Sequence, residues 1–266
     1  MNVRTGFHEG ELAVQERAGV REDARRLVRM LDPAALTAGI AGFLAQRTFA
    51  VMTGRDGDGT LWTTPITGEP GFLRAVGPTT LHAGQPDAGS PLRDLPPDQP
   101  VGLITVDFAR RRRIRLNGTL TDADETGLTI AVEQAYGNCP QYIRPRPVDG
   151  PLPIKPSERR HVLTTDDVAQ IRGADTFFLG TTHPERGNDA SHRGGPAGFV
   201  RVLDDHTLEW PDFPGNNMFN SLGNIAVDPT TALLFVDFPT GRVLHLTGRS
   251  DLAITGDDRT VRFTIS

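Results

Sequence analysis

The sequence predicts a mainly β (α+β) chain made of two tandem copies of one module, with short flanking helices. Three observations predict it. The first is an internal repeat. Thr48-Phe49 and Thr53 recur as Thr176-Phe177 and Thr181, 128 positions later; Gly71-Phe72-Leu73-Arg74-Ala75-Val76 recurs as Gly198-Phe199-Val200-Arg201-Val202-Leu203, 127 later. Val106-Asp107-Phe108 returns as Val236-Asp237-Phe238, and Leu116 and Gly118 as Leu246 and Gly248, all at 130. The second is a set of short apolar runs bounded by Gly, Asp and Pro, as buried strands are. The third is the turn content, 29 Gly and 21 Pro in 266 residues, which divides the chain into many short elements.

The elements follow in order. Residues 1–39 form an N-terminal helical extension outside the repeat, with Phe7-His8-Glu9-Gly10-Glu11 and then a charged helix near 21–31. The first module spans 40–144, and its leading helix is expected from Asp32-Pro33, an N-cap followed by proline at the first helical position. Leu36, Ile40, Phe43 and Leu44 give that helix one apolar face. Phe49-Ala50-Val51-Met52 reads as a buried strand, and 101–108 with 113–120 as a hairpin turning at Ala109–Arg112. Residues 145–163 are a connector: Pro145, Pro147, Pro151, Pro153 and Pro156 disfavour helix and interior strand. The second module spans 164–266. It opens on Thr164-Thr165 before Asp166-Asp167, acidic residues suited to a helix N-terminus. Phe177-Phe178-Leu179 is its buried strand, and 231–238 with 242–249 is its hairpin, turning at Pro239-Thr240-Gly241.

Composition narrows the function. Asp and Glu outnumber Lys and Arg by 33 to 28, which argues against a general nucleic-acid binder. The single cysteine, Cys139, excludes an intramolecular disulfide framework and an all-cysteine zinc site. Its thiol has no base beside it in sequence and reads as structural. The seven histidines show no metal-ligand spacing, so no metal is expected. Met1-Asn2-Val3-Arg4 lacks the apolar run of a signal peptide, and no stretch approaches 18 apolar residues. The expectation is a cytoplasmic protein without membrane or nucleic-acid partners. G-x-S-x-G, G-x-x-x-x-G-K-[ST] and G-x-G-x-x-G are all absent, which removes the main sequence support for nucleophilic hydrolases, P-loop NTPases and Rossmann dehydrogenases.

Three stretches are candidates for chemistry. In Ser191-His192-Arg193-Gly194-Gly195-Pro196 the glycines let backbone N–H groups approach an anion, and Arg193 offers a bidentate fork for phosphate. The alternative is a turn with a solvated Arg. In the run from Pro211 to Asn224, Asn216 is a candidate N-cap for a helix reaching about Ala226, whose free N–H groups could face a phosphate. Asn217, Asn220 and Ser221 add neutral donors, and Met218 or Phe219 could lie against an aromatic ring system. The alternative is an ordinary capped helix with Phe219 and Leu222 in the core. Arg110 to Arg113, with Arg115, falls at a hairpin tip; it reads as a solvated turn or edge safeguard, or else as a grip on an anionic ligand or on a carboxylate across the module boundary.

Phe7-His8-Glu9-Gly10-Glu11, Tyr136-Gly137-Asn138-Cys139-Pro140-Gln141-Tyr142-Ile143, Ser191 to Val202 and Gly215-Asn216-Asn217-Met218-Phe219 with Leu222-Gly223-Asn224-Ile225 resemble a branch of the pyridoxamine 5′-phosphate oxidase-like flavin-nucleotide-binding proteins, over 7–250. The resemblance implies tandem split β-barrels of the FMN-binding type. The cofactor then sits in a groove between two barrels, here both supplied by one chain as a pseudo-dimer, with further homodimerisation open. It implies a phosphate grip from His192, Arg193 and Arg201, and from Asn216, Asn217 and Met218, with Pro211 and Asp212 near the ribityl chain or ring. Ser191, Gly194 and Ser221 complete the expected cofactor-binding set. In the first module, Asp87, Ser90, Pro91 and Arg93 fall in the corresponding loop, as a second or degenerate site.

The implied function is FMN binding, with flavin-dependent oxidoreductase activity on a small molecule. The alternatives are a deazaflavin-dependent oxidoreductase, or a non-catalytic small-molecule or haem binder with a degenerate groove. No catalytic residue is assigned. Many relatives carry Arg, or Arg-Lys, where this chain has Asn217-Met218. A lost charge-assisted hydrogen bond is worth about 1.5–3 kcal/mol. That corresponds to roughly tenfold to hundredfold in affinity, unless other arginines compensate.

Overall fold

The computed structural model describes residues 6–32, 35–148, 150–155, 161–256 and 258–266. Its core is two seven-stranded sheets, and every strand pair in both is antiparallel. The first sheet runs β2 (Leu61–Thr67), β1 (Phe49–Arg55), β5 (Gln99–Asp107), β6 (Arg112–Asp124), β7 (Gly127–Gly137), β4 (Thr80–Ala83), β3 (Leu73–Ala75). The second runs β9 (Gly187–Gly194), β8 (Thr176–His183), β12 (Thr230–Asp237), β13 (Arg242–Thr255), β14 (Asp258–Ile265), β11 (Thr207–Pro211), β10 (Arg201–Val202). Strand for strand, the order is the same. The sequence repeat is therefore a repeat of topology.

Register fixes which residues correspond. The hairpin offset of 130 makes Thr105 the counterpart of Phe235. Thr105 pairs with Ala50 in β1, and the ladder that joins Gly180 to Ala232 sets Phe177 of β8 beside Phe235. Ala50 thus corresponds to Phe177, an offset of 127, and the Thr-Phe identity at 128 is one residue out of structural register. Through the pairings Ala50–Ile66 and Phe177–Arg193, Ile66 corresponds to Arg193.

Each sheet curls about its own core. Ala50, Ile66, Leu73, Leu81, Leu103, Leu116 and Ile130, one from each strand of the first sheet, belong to a single buried cluster, which a flat sheet could not bring together. The second cluster collects Phe177, Trp210, Phe235, Leu246 and Phe263, but β9 contributes nothing apolar to it. On the face of β9 that shares Phe177 and Leu179 stand Asp189, Ser191 and Arg193. A third cluster (Phe49, Val51, Ile104, Phe108, Phe178, Leu234) lies in the seam between the sheets. Strands approach so closely there that a Cβ on Gly102 would meet the backbone of Asp189 and Ala190. No helix among the described residues is long and apolar enough to cross a membrane.

The helices depart from expectation at the N-terminal side. The one expected from Asp32-Pro33 is α3 (Ala38–Ala45), capped by Thr37, whose hydroxyl accepts from the Ile40 N–H; Pro33 lies outside the described residues. Thr37 wins because its short hydroxyl can bend back to the first turn. The charged helix expected near 21–31 divides into α2 (Arg21–Arg25) and a 3-10 turn, Val28–Leu31. The expectations missed α1 (Glu9–Arg17), which His8 and Glu11 close as a reciprocal capping box. In the second module, α4 (Thr165–Gly173) begins at Thr164 in a box with Asp167. The connector has no helix or strand among the described residues of 143–155, and its Leu152 and Ile154 pack on the seam cluster; Pro156 lies outside the described residues.

One helix has no counterpart in the first module: α5 (Asn220–Val227), between β11 and β12. It crosses α1 at glycine on both sides. A Cβ on Gly10 would strike the Gly223 carbonyl, and one on Gly223 would strike the Glu11 backbone. This crossing brings the N-terminal segment, the seam and the α5 loop to one place.

Candidate functional site

Strand alternation builds the site. In β6, Ile114 and Leu116 belong to the first core, so Arg113, Arg115 and Asn117 point the other way. Arg115 and Asn117 reach Asp189 of β9, with Arg115 Nη1 3.3 Å from Asp189 Oδ1 and Asn117 Nδ2 3.3 Å from the same oxygen. Arg115 also donates to Asn220 Oδ1 at 3.3 Å. Ser221 at the start of α5 donates to Asp189 Oδ2 (3.1 Å) and lies 3.0 Å from Ser191 Oγ.

The loop into α5 differs from the expected form. Asn216 does not cap the helix; the residue before the helix is Phe219, left-handed at φ 60° with no side-chain cap. Asn217 is left-handed too, at φ 61°. Asn216 instead turns its amide oxygen onto the Met218 N–H (3.2 Å) and donates to Asn138 Oδ1 (3.2 Å). Two non-glycine residues in this region cost of order 1–3 kcal/mol each and cluster at functional sites.

Nine of the eleven expected cofactor residues line one cavity of about 110 Å³: Ser191, His192, Arg193, Gly194, Pro211, Asp212, Asn216, Asn217 and Ser221. Two do not. Arg201 sits on β10, at the far edge of the sheet, where its largely exposed side chain pairs with Glu209 at 3.0 Å. Met218 is fully buried in a separate cluster with Leu31 and Tyr136, because the left-handed turns at its neighbours send its side chain away from the cavity.

The arginines expected at a hairpin tip prove to be divided. Arg110 pairs with Asp107 at 3.2 Å, Arg111 donates to the Pro140 and Gln141 carbonyls, and Arg112 lies over the Phe43 ring. Arg113 and Arg115, two apart on one strand face, turn into the cavity. That i, i+2 spacing was the signal available in the sequence. They bring two cations from the opposite module to the cavity that Asn217 lines.

Their counter-charges are unequal. Arg193 is paired with Asp212 at 2.6 Å, and Asp212 also takes Arg259 at 3.0 Å. Arg115 has Asp189. Arg113 has no carboxylate among the described residues. It donates to His192 Nδ1 (3.0 Å), the His192 carbonyl (3.0 Å) and the Cys139 carbonyl (2.7 Å). Burial, then the charges of Arg115 and Arg193, lower the Arg113 guanidinium to about 9. Burial and the surrounding arginines hold His192 well below the usual imidazole range, so it is neutral; because it accepts from Arg113 at Nδ1, its proton sits on Nε2. The Nε atoms of Arg113, Arg115 and Arg193 and the Nε2 of His192 have no hydrogen-bond partner among the described residues. A pocket lined by three arginines, one of them a buried cation with no carboxylate among the described residues, is complementary to an anion. Its volume falls below the ~300–1,000 Å³ of sites that enclose a drug-sized ligand and suits an oxyanion such as phosphate. The stacked rings of Tyr142 and Phe213, centroids 5.3 Å apart, form part of its wall.

A second cavity of about 530 Å³ lies beyond the Arg115–Asp189 pair. Arg115 lines the first cavity, Asp189 the second, and Asn220 both. A third, about 240 Å³, lies in the opposite seam against Thr64, Asp87, Ser90, Lys155 and His245. One further cluster escaped the sequence reading: His8, Glu9 and His183 bring potential metal-ligand atoms within 4.8 Å of one another. Their hydrogen bonds oppose a metal. His8 Nδ1 accepts from the Gly10 N–H, and His183 Nδ1 from the N–H groups of Glu185 and Arg186. With Nδ1 accepting in both rings, the N–H groups that hold it oppose the shift of the ring proton to Nδ1 that metal ligation through Nε2 requires.

No family model matches the chain, and no curated protein is significantly similar to it. Solved structures do match. A candidate pyridoxamine 5′-phosphate oxidase of Lactobacillus delbrueckii is 15% identical, covering 40% of this chain and 93% of its own, with a TM-score of 0.34. An F420 reductase is 13% identical over 37% of this chain and 91% of its own, TM-score 0.28. The inhibitor of motility MotI/DgrA of Bacillus subtilis is 10% identical over 82% of this chain and 87% of its own, TM-score 0.24.

Proposed function

We propose that this chain binds a phosphorylated flavin, FMN, at the seam between β6 and β9, and that it is a flavin-dependent oxidoreductase acting on a small molecule. The observation that carries the reading is Arg113: a buried guanidinium without a carboxylate, beside two further arginines in a phosphate-sized cavity. In this reading Arg113 and Arg193 hold the phosphate. Ser191, Asn216 and Asn217 add neutral polar groups, and neutral His192 accepts from Arg113 and holds that guanidinium in place. Tyr142 and Phe213 give an aromatic surface for a planar ring. The enclosed volume takes only the phosphate end of the cofactor. Bound flavin supplies electron transfer; the chain supplies anchoring, orientation and electrostatics.

The test is a titration in phosphate-free buffer with FMN, riboflavin and a deazaflavin, followed by flavin fluorescence. FMN binding at least tenfold tighter than riboflavin supports the phosphate anchor. Equal binding of the two, or no flavin binding, sinks the proposal, and a clear preference for the deazaflavin replaces FMN with that cofactor. Mass identification of any molecule released when freshly purified protein is denatured gives an independent answer.

A further inference from the structure

The two cavities that meet at the Arg115–Asp189 pair have opposite electrostatic character. Arginines dominate the first. The second is lined by four carboxylates (Glu11, Glu133, Glu185 and Asp189) against one cation, Arg186, and Asp189 is already committed to Arg115. Its volume of about 530 Å³ is that of a small-molecule site. Leu31, Ala131 and Val132 give it an apolar side.

Glu11 lines this second cavity. It is only 3% exposed, yet no Lys or Arg among the described residues lies within ion-pair distance of it. Its oxygens accept from the His8 backbone N–H at 2.8 Å and from the Asn220 amide, both neutral. His8, also buried, has its Nδ1 occupied by Gly10, and its Nε2, which makes no hydrogen bond, stands 3.6 Å from Glu11 Oε2. Two amide oxygens on the cavity wall are unpartnered as well, Asn117 Oδ1 and Asn188 Oδ1. Their orientation is fixed chemically: Asn117 Nδ2 donates to the Asp189 carboxylate and Asn188 Nδ2 to the Pro100 carbonyl, groups that only accept. Among the described residues that line the cavity, Arg186 is the one Lys or Arg against four carboxylates.

We propose that this cavity binds a small organic cation, an amine carried on a compact apolar body, with the Glu11 carboxylate as its counter-ion. This goes beyond the flavin reading and does not rest on it. Burial raises the Glu11 carboxyl to about 7. The charged and titratable groups around it are His8 on its own segment, Arg186 and Asp189 on β9 and its turn, Arg115 on β6 and Tyr136 on β7. From α5 come only the amides Asn220 and Asn224. An arriving ammonium favours the ionised carboxylate and expels its proton. Binding near pH 6 therefore releases up to one proton, and binding near pH 8.5 releases almost none.

Calorimetry on the flavin-free full chain tests this with benzylamine, benzyl alcohol and benzoate, each in two buffers of different ionisation enthalpy. The expected result is benzylamine at least tenfold tighter than benzyl alcohol at pH 8, benzoate without binding, and proton release at pH 6 only. Glu11→Gln should remove the amine preference and the proton release together. Alcohol binding as tight as amine, no binding by any probe, or an unchanged amine affinity in Glu11→Gln overturns the proposal. Should that variant fail to fold, the wild-type comparison of amine with alcohol still decides. FMN titration reads the other cavity, so either reading can fail alone.

Discussion

The two seams of this molecule are built from corresponding strands and carry opposite chemistry. In one, β6 and β9 present Arg113, Arg115, Asp189, Ser191 and Arg193. In the other, the residues at the same register positions of β13 and β2 are Val243, His245, Trp62, Thr64 and Ile66. One contact survives in both: Ser191 meets Ser221 as Thr64 meets Ser90, at 3.0 and 2.7 Å. Around it the second seam has Trp62 and Ile66 buried in the first core beside a cavity of about 240 Å³, while the first has gathered cations and the loop leading into α5. The backbone architecture permits a site in either place, and side chains decide which one is polar enough to hold a ligand.

Breaking the charged seam should have the largest effect. Asp189→Asn leaves Arg115 buried without a counter-ion and is expected to cost about 3–5 kcal/mol of stability, read by urea denaturation. His245→Gln, at the position corresponding to Arg115, should cost far less. A loss of similar size in both would end the distinction between the seams.

Arg113→Val places the second seam's residue into the first. FMN affinity should fall roughly tenfold to hundredfold, while the midpoint of thermal unfolding should rise, because an unneutralised buried cation has gone. Weaker FMN binding together with lower stability would show instead that Arg113 is structural.

Acid sharpens the contrast further. His192 is held neutral in the fold, whereas Pro65, its counterpart, does not titrate. A base whose native pKa is depressed contributes stability that is present above its unfolded value near 6.5 and lost as pH falls below it. The slope is at most about 1.4 kcal/mol per pH unit for one proton. His192→Phe should flatten the fall in stability between pH 6.5 and 5. Glu11 acts in the opposite sense: its carboxyl is raised, so its contribution is complete at low pH and is lost as pH rises toward 7. Unfolding curves of Glu11→Gln against wild type should diverge above pH 5 in the variant's favour.

The smallest effect belongs to the hairpin tips. Arg111 and Gly241 are counterparts, left-handed at φ 53° and 72°. Arg111→Gly should change stability by no more than about 1 kcal/mol. Gly241→Ala should cost more, since its Cβ would run into the Pro153 carbonyl.

Much of this architecture was legible in the sequence. Repeated Gly-Phe-x-Arg and Val-Asp-Phe segments marked the twofold plan, and the short apolar runs at Phe49 and Phe177 marked the buried strands β1 and β8. The exact register was not legible, because an identical Thr-Phe pair attracts alignment while hydrogen-bond ladders obey geometry. Most of the candidate site was legible from two motifs. Arg201 misled because a β-edge position and a cavity position look alike in sequence. Met218 misled because the left-handed turn at Phe219 is not signalled by its residue type, although Asn217 is a type that favours that region. The contribution of α1, with His8 and Glu11, depends on a glycine crossing more than 200 residues apart in sequence, and no local pattern records that.

The proline-rich tether between the two halves has a further consequence. In a symmetric pair of separate chains, every substitution would appear in both grooves at once, and dilution would separate the partners. Here the halves meet at an effective concentration fixed by a short chain, independent of how much protein is present. Each groove was thereby free to diverge alone, so one could accumulate arginines while its twin did not.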